Sequence, residues 1–325
     1  MADLSPGSPR EAGQLMLIGA LSLAIVLVAL TLLVNSAIYT QTVATRGAGP
    51  TGGSDAVGFR SGVDRGVTDT IEFVNDNEVG YDNQTEQLRD SIPNVSDAMG
   101  IYAAERGRSV SVSYATQENG TRIERASDGQ ITDYNVSGVE TRAFVVDIDR
   151  PSFPPDADAS AGPPPDPLSN VDAEYRIDFE GAAGDTVQVA VLRDDDASPE
   201  RTLVAVYLNG DLRGFCTDDT GTRTRIDIDD AHVADEYCLP LEFFDLIETP
   251  VTVRFVDGTV SGLTAGESQY EYVVDATNTS TTVTTHPSGV TNTAVLYSVR
   301  VDLTYRTPEL RYDARARIVP EAPDE

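Results

Sequence analysis

The chain contains no lysine: all 23 of its basic side chains are arginine, set against 53 Asp and Glu, for a net charge of −30 over 325 residues. It has only two cysteines, Cys216 and Cys238, and only two histidines, His232 and His286. Each scarcity excludes something. So acidic a chain argues against binding nucleic acid or anionic lipid through a basic patch. Two cysteines are too few for a disulfide framework but enough for one bridge. Two histidines far apart in sequence leave any metal or triad site short of ligands, and His-Glu-x-x-His, Cys-x-x-Cys and Gly-x-Ser-x-Gly do not occur. Carboxylate catalysis has 53 candidates and no means of selecting a pair, so the chain reads as a non-enzyme without a cofactor.

What is present points first to a solvent. A charge of −30 strains a compact fold by self-repulsion in dilute buffer, whereas at molar salt the Debye length falls to about 3 Å and the repulsion is screened. Carboxylates also hold water and cations more compactly than ammonium stems, so a Lys-free acidic surface implies a high-salt medium. With 40% hydrophobic residues the chain can still bury a core.

Residues Leu15 to Ile38 carry no charge and are almost wholly apolar. As a helix, these 24 residues rise about 36 Å, enough to cross a bilayer core of about 30 Å. The run exceeds the roughly 7–15 apolar residues of a removable signal, and a buried core helix would show a polar face. Flanking charge leaves orientation undecided, because Arg10 matches Arg46. Asn-x-Ser/Thr acceptors begin at Asn83, Asn94, Asn119, Asn135 and Asn278, five of eleven asparagines. That excess favours an exported, glycosylated outer part, the alternative being that Asn, Ser and Thr cluster in turns.

Beyond the run, Tyr39 to Arg46 continue as helix until Gly47 to Gly53 form a hinge. The formal Gly-x-Gly-x-x-Gly match at Gly47, Gly49 and Gly52 follows no strand and contains Pro50, so it is accidental. Phe59, Val63, Val67, Ile71 and Val74, then Leu88, Ile92, Val95, Met99 and Tyr102, mark two amphipathic helices, the second starting near Ser91 because of Pro93. They form an αα-hairpin or lie on the β domain. From Ser109 the period changes to two, with a hairpin turn expected at Glu118-Asn119-Gly120 and a further strand at Ala143 to Ile148. Pro151 to Pro167 reads as a linker. Then come strands at Glu174–Phe179, Thr186–Leu192, Leu203–Leu208, Arg223–Ile228, Val251–Val256, Gln269–Val274 and Val295–Tyr305, with a short turn at Leu241 to Ile247. Their spacing favours a β-sandwich.

Asp218, Asp219 and Asp229 fall in acidic turns and are weak candidates for a Ca²⁺ or Mg²⁺ site, against the plainer reading of a solvated acidic face. Cys216 and Cys238 form a bridge or stay as two separate thiols.

The opening Arg10-Glu11-Ala12-Gly13-Gln14-Leu15-Met16-Leu17-Ile18-Gly19-Ala20-Leu21, leading into Asn35-Ser36-Ala37-Ile38-Tyr39-Thr40 and Ala44-Thr45-Arg46, resembles haloarchaeal envelope proteins of the type IV pilin-like class. The likeness covers roughly the first 50 residues. It implies a short cytoplasmic leader cut before the apolar helix, after Gly13, and assembly through that helix. The glutamate that many pilins carry early in the mature helix has no counterpart among Gln14 to Ala20.

The expected protein is therefore α+β: a leader (1–14), a transmembrane helix (15–38), a helical stalk (39–106), a small β unit (107–150), a Pro/Asp-rich linker (151–168), an antiparallel β-sandwich-like outer domain (169–319) and a tail (320–325). It would be single-pass, with most of the chain outside the cell. Its expected partners are the lipid bilayer, through residues 15–38, and other envelope or pilus proteins, but not nucleic acid. The alternative is a membrane-tethered ligand- or cation-binding domain.

Overall fold

A computed structural model describes residues 51–130, 134–150, 175–194, 199–256, 267–277 and 288–320. The leader, the apolar run 15–38, the Tyr39 to Arg46 continuation, the linker 151–168, Asn278, His286 and residues 321–325 lie outside the described residues. No helix among the described residues is long and apolar enough to cross a membrane. The chain divides into two compact units, Met1–Phe59 with Pro308–Leu310, and Arg60–Thr307 with Arg311–Glu325. In the first, the described parts are the opening turns of a helix from Thr51 and residues 308–310. The second contains everything that follows.

Two helices come first, α1 (Thr51–Asn77) and α2 (Tyr81–Ala104), joined at Gly80, whose φ of 87° suits a residue without a Cβ. The apolar stripe of α1 is buried outright at Val63, Val67, Ile71 and Val74. Gly62 and Gly66 let α2 approach closely: a Cβ on them would lie 3.3 Å from Met99 Cε and 3.2 Å from Val95 Cγ1. The helices thus form an antiparallel hairpin.

Two expectations change here. Thr51, Gly52 and Gly53 belong to α1 rather than to a hinge. The second helix begins at Tyr81, not near Ser91, and carries Pro93 inside it. An interior proline costs about 3 kcal/mol, which burying Leu88 and Ile92 at about 1.5–3 kcal/mol each can offset. Asp82 also favours the N-terminal end of the dipole.

Fourteen strands follow among the described residues, all paired antiparallel in two sheets. They are β1 (Ser109–Gln130), β2 (Tyr134–Val139), β3 (Thr141–Asp149), β4 (Tyr175–Glu180), β5 (Thr186–Asp194), β6 (Arg201–Leu208), β7 (Asp211–Asp218), β8 (Arg223–Asp227), β9 (His232–Val233), β10 (Glu236–Tyr237), β11 (Val251–Val256), β12 (Glu267–Val274), β13 (Thr291–Arg306) and β14 (Arg311–Ile318). One sheet runs β10-β9-β8-β3-β12-β1-β13-β14 and the other β2-β11-β4-β5-β6-β7. Their facing residues make one core: Ile123, Phe144, Val146 and Tyr272 from the first sheet meet Ile177, Phe179, Val189 and Phe255 from the second. Phe144 stacks on Tyr272 at 4.6 Å and meets Phe179 edge-on at 5.4 Å. The fold is α+β with a sandwich-like pair of antiparallel sheets.

β1 departs most from expectation. It runs for 22 residues straight through Glu118-Asn119-Gly120. Gly120 is there for close approach rather than for a turn, since a Cβ would lie 2.4 Å from the Val274 carbonyl oxygen and 2.9 Å from Tyr297 Cβ. β1 pairs with both β12 and β13, and β3 with β12 and β8, so the strands of 107–150 belong to the same sheets as those of 169–319.

The hairpin does not stand apart as a stalk either. Gln117 Nε2 donates to Thr85 Oγ1 at 2.7 Å, the Val112 N–H donates to Ser96 Oγ at 2.9 Å, and Arg89 lies over the Tyr114 ring. Asn75 acts as a substitute strand beside β13, accepting the Leu296 N–H at 2.7 Å and donating to its carbonyl at 3.2 Å.

Candidate functional site

Asp218 ends β7 and is almost fully buried. Burial alone would raise its carboxyl, but hydrogen bonds from Thr220 and Thr224 outweigh this and hold it below its ordinary value. Thr220 donates to Oδ1 from its N–H at 2.8 Å and its hydroxyl at 2.6 Å, and Thr224 Oγ1 donates to Oδ2 at 2.7 Å. Arg150, also buried, completes the group. Its Nη2 donates to Asp218 Oδ2 at 3.3 Å and to the Asp218 carbonyl at 2.9 Å, its Nη1 to the Glu200 and Gly221 carbonyls, and its Nε to Thr202 Oγ1 at 2.9 Å. Arg150 follows β3 of one sheet, while Thr202 and Asp218 belong to β6 and β7 of the other. The ion pair therefore clamps the two sheets, and Asp218 has its acceptor capacity engaged.

Asp229 sits in the turn after β8, partly buried. Burial pushes its carboxyl up to about 7, against N–H groups of Ala143 and Phe144 that donate to it. Ala231 has a positive φ of 54°, and Asp227 accepts the Asp230 N–H at 3.1 Å, so the turn is tightly wound. His232 donates from Nδ1 to the Asp230 carbonyl at 2.7 Å. Asp219 is exposed. The three candidate aspartates are not assembled into a ligand set: no group of three or more His, Cys, Asp or Glu among the described residues could hold a metal ion.

A folded-state pKa above the unfolded one means that folding takes up a proton. The stability this confers is complete below about pH 4 and is lost as pH rises through about 7. Asp227, Asp275 and Glu271 are raised by burial too and act in the same sense. We expect Asp229→Asn to remove much of the decline in denaturation midpoint between pH 5 and 8, on the order of 2–4 kcal/mol. An unchanged slope would assign the dependence to other groups.

Cys216 of β7 and Cys238 after β10 are joined in a disulfide, their Cα atoms 5.9 Å apart. The bridge ties the end strand of one sheet to the segment leaving the other. Gly214 lies beside Pro240, where a Cβ would come within 2.8 Å of Pro240 Cγ.

The acceptor asparagines differ in setting. Asn83 and Asn94 are exposed on α2, and Asn135 is exposed on β2 at a sheet edge. Asn119 lies within β1 between two neighbouring strands, half-buried, with its Oδ1 buried and without a hydrogen-bond partner. It borders a groove of about 550 Å³ lined also by Tyr81, Asp82, Glu86, Arg89 and Asp90. A second groove, about 230 Å³, crosses the eight-stranded sheet between Glu124, Asp147, Glu271 and Arg225.

The exposed surface carries arginine–carboxylate pairs of a kind lysine could not make. Arg315 grips Asp302 with two donors at 2.7 and 3.0 Å, across from it in the β13–β14 ladder. Arg300 and Arg317 converge on Glu118, and Arg317 also reaches Glu140. The clamp, the Gly120 contact and this network all join positions far apart in sequence, and only the absence of lysine hinted at them.

A family described as one of unknown function (DUF7261) matches residues 9–136, which include the apolar run, α1, α2 and β1. No curated protein and no solved structure matches the chain.

Proposed function

We propose that this is a non-catalytic cell-envelope protein of an organism living at molar salt, held in the bilayer by residues 15–38, pilin-like in its N-terminal segment, with the two-sheet domain displayed outside as an interaction domain. The observation that carries the reading is the uncharged run Leu15 to Ile38 set ahead of a Lys-free domain of net charge −30 for the whole chain. A disulfide supports an oxidising, exported setting. Multidentate arginine pairs support a surface that keeps its ion pairs where salt screens simple attraction. Exposed acceptors on α2 and β2 suit glycan attachment.

Carbonate and high-salt washing of membranes should leave the full-length chain in the pellet, and protease added to intact cells should remove the outer domain. Recovery in the soluble fraction would defeat the anchor; a domain that resists protease until lysis would invert the orientation. Mass spectrometry of the exported protein should find modification at Asn83, Asn94 and Asn135 and none at Asn119, which is half-buried within β1 beside α2. Occupancy at Asn119 equal to the others would contradict that placement.

A further inference from the structure

We propose that the end of the outer domain where α2 terminates is a lipid-facing foot that seats on anionic headgroups of the bilayer; the inference rests on the membrane-anchor reading above. The pairing of Gly62 with Met99 and Gly66 with Val95 brings the end of α2 level with Arg60. Register extends the same end into the sheet: Ser109, directly after Arg108, opposes Arg306, and Arg306 opposes Arg311. Arg60, Arg106, Arg108, Arg306 and Arg311 are thus gathered at one end of a chain whose overall charge is −30. The acids closest to them in sequence are Asp64, Glu105, Glu309 and Asp313, the last paired with Arg311. Composition argued against a basic lipid-binding patch, because an average over the chain conceals what strand register collects.

The same end exposes apolar surface. Ile101 is 69% and Tyr102 62% exposed, and the Arg106 guanidinium lies over the Tyr102 ring at 3.7 Å. Aromatic rings with apolar neighbours settle at the headgroup level of a bilayer, and arginine above them meets phosphate with paired donors. Such contact pairing does not depend on the long-range field that molar salt removes.

The chain has no tryptophan, so Tyr102→Trp in the full-length protein gives a single reporter and Tyr237→Trp, exposed on β10, a control. Both would be reconstituted into phosphatidylglycerol and phosphatidylcholine vesicles at molar KCl, with acyl-brominated lipid as quencher. Indole emission from the Tyr102→Trp protein should shift to the blue and lose most of its intensity with brominated phosphatidylglycerol, less so with phosphatidylcholine, while the control stays unquenched. Adding Arg106→Glu and Arg306→Glu should restore intensity. Unquenched, water-like emission from a chain that floats with the vesicles would overturn the foot and leave the anchor standing. A chain that does not float would overturn both, and equal quenching in the two lipids would overturn the role of anionic headgroups.

Discussion

At millimolar salt the two-sheet domain is expected to be largely unfolded, and at molar KCl or NaCl fully folded, when the full-length chain in neutral detergent is followed by circular dichroism. The chain sets 53 carboxylates against 23 guanidinium groups, and with a Debye length of about 30 Å at 0.01 M those charges repel across the whole domain. At 1 M the length is about 3 Å, so only contact pairs such as Arg315 with Asp302 survive as interactions. The urea midpoint should therefore climb steeply with either salt. Millimolar Ca²⁺ added at constant molar salt should bring no further gain, because Asp218 is taken up by Arg150 and threonines and no group of three or more His, Cys, Asp or Glu among the described residues could hold a metal ion. A domain equally stable from millimolar to molar salt would show that the Lys-free acidity does not mark a high-salt protein, and a Ca²⁺ gain would restore the cation-binding alternative.

Arg150→Ala should destabilise the domain by about 3–5 kcal/mol, because it strands the buried Asp218 carboxylate and several carbonyls without their donor. Arg150→Lys should recover little, since an ammonium cannot reach Thr202, Glu200, Gly221 and Asp218 from one plane. Substituting both partners, Arg150→Met with Asp218→Leu, should cost less than Arg150→Ala alone, as removing a buried charge pair together leaves no unpaired ion. Urea melts at fixed molar KCl would measure all three. A loss under about 1 kcal/mol for Arg150→Ala would mean that the sheets hold together without the clamp.

Fold class was legible where hydrophobic period was strong. β5, β6, β11 and β12 begin and end within two residues of the expected runs, since each packs consecutive or alternating apolar side chains. β7 and β14 gave no such signal. In Arg311-Tyr-Asp-Ala-Arg-Ala-Arg-Ile the inward Ala314 and Ala316 are small and the outward positions charged, so the strand looks like a polar loop until β13 supplies its partner. Glu118-Asn119-Gly120 misled for a related reason: a glycine needed for tight packing and one needed for a turn look the same in sequence. Of the candidate site, the disulfide pair was readable because only two cysteines exist. The Arg150 cluster was not, since its partners lie 50 to 74 positions away and nothing in the neighbourhood of Arg150 distinguishes it from the other arginines.

The path of β1 bears on how the domain is made. Its first residues, Ser109 to Tyr114, pair with Val301 to Arg306, almost two hundred positions later. A strand in the middle of the larger sheet therefore has no neighbour to pair with until nearly all of the chain has been delivered. Loops that long close slowly and give little in return before the last strands arrive. The eight-stranded sheet is therefore completed only after Thr291 to Ile318 are made, and a chain cut short before β13 should be open to protease throughout β1, while β4 to β7 pair with their neighbours in sequence and need no later strand.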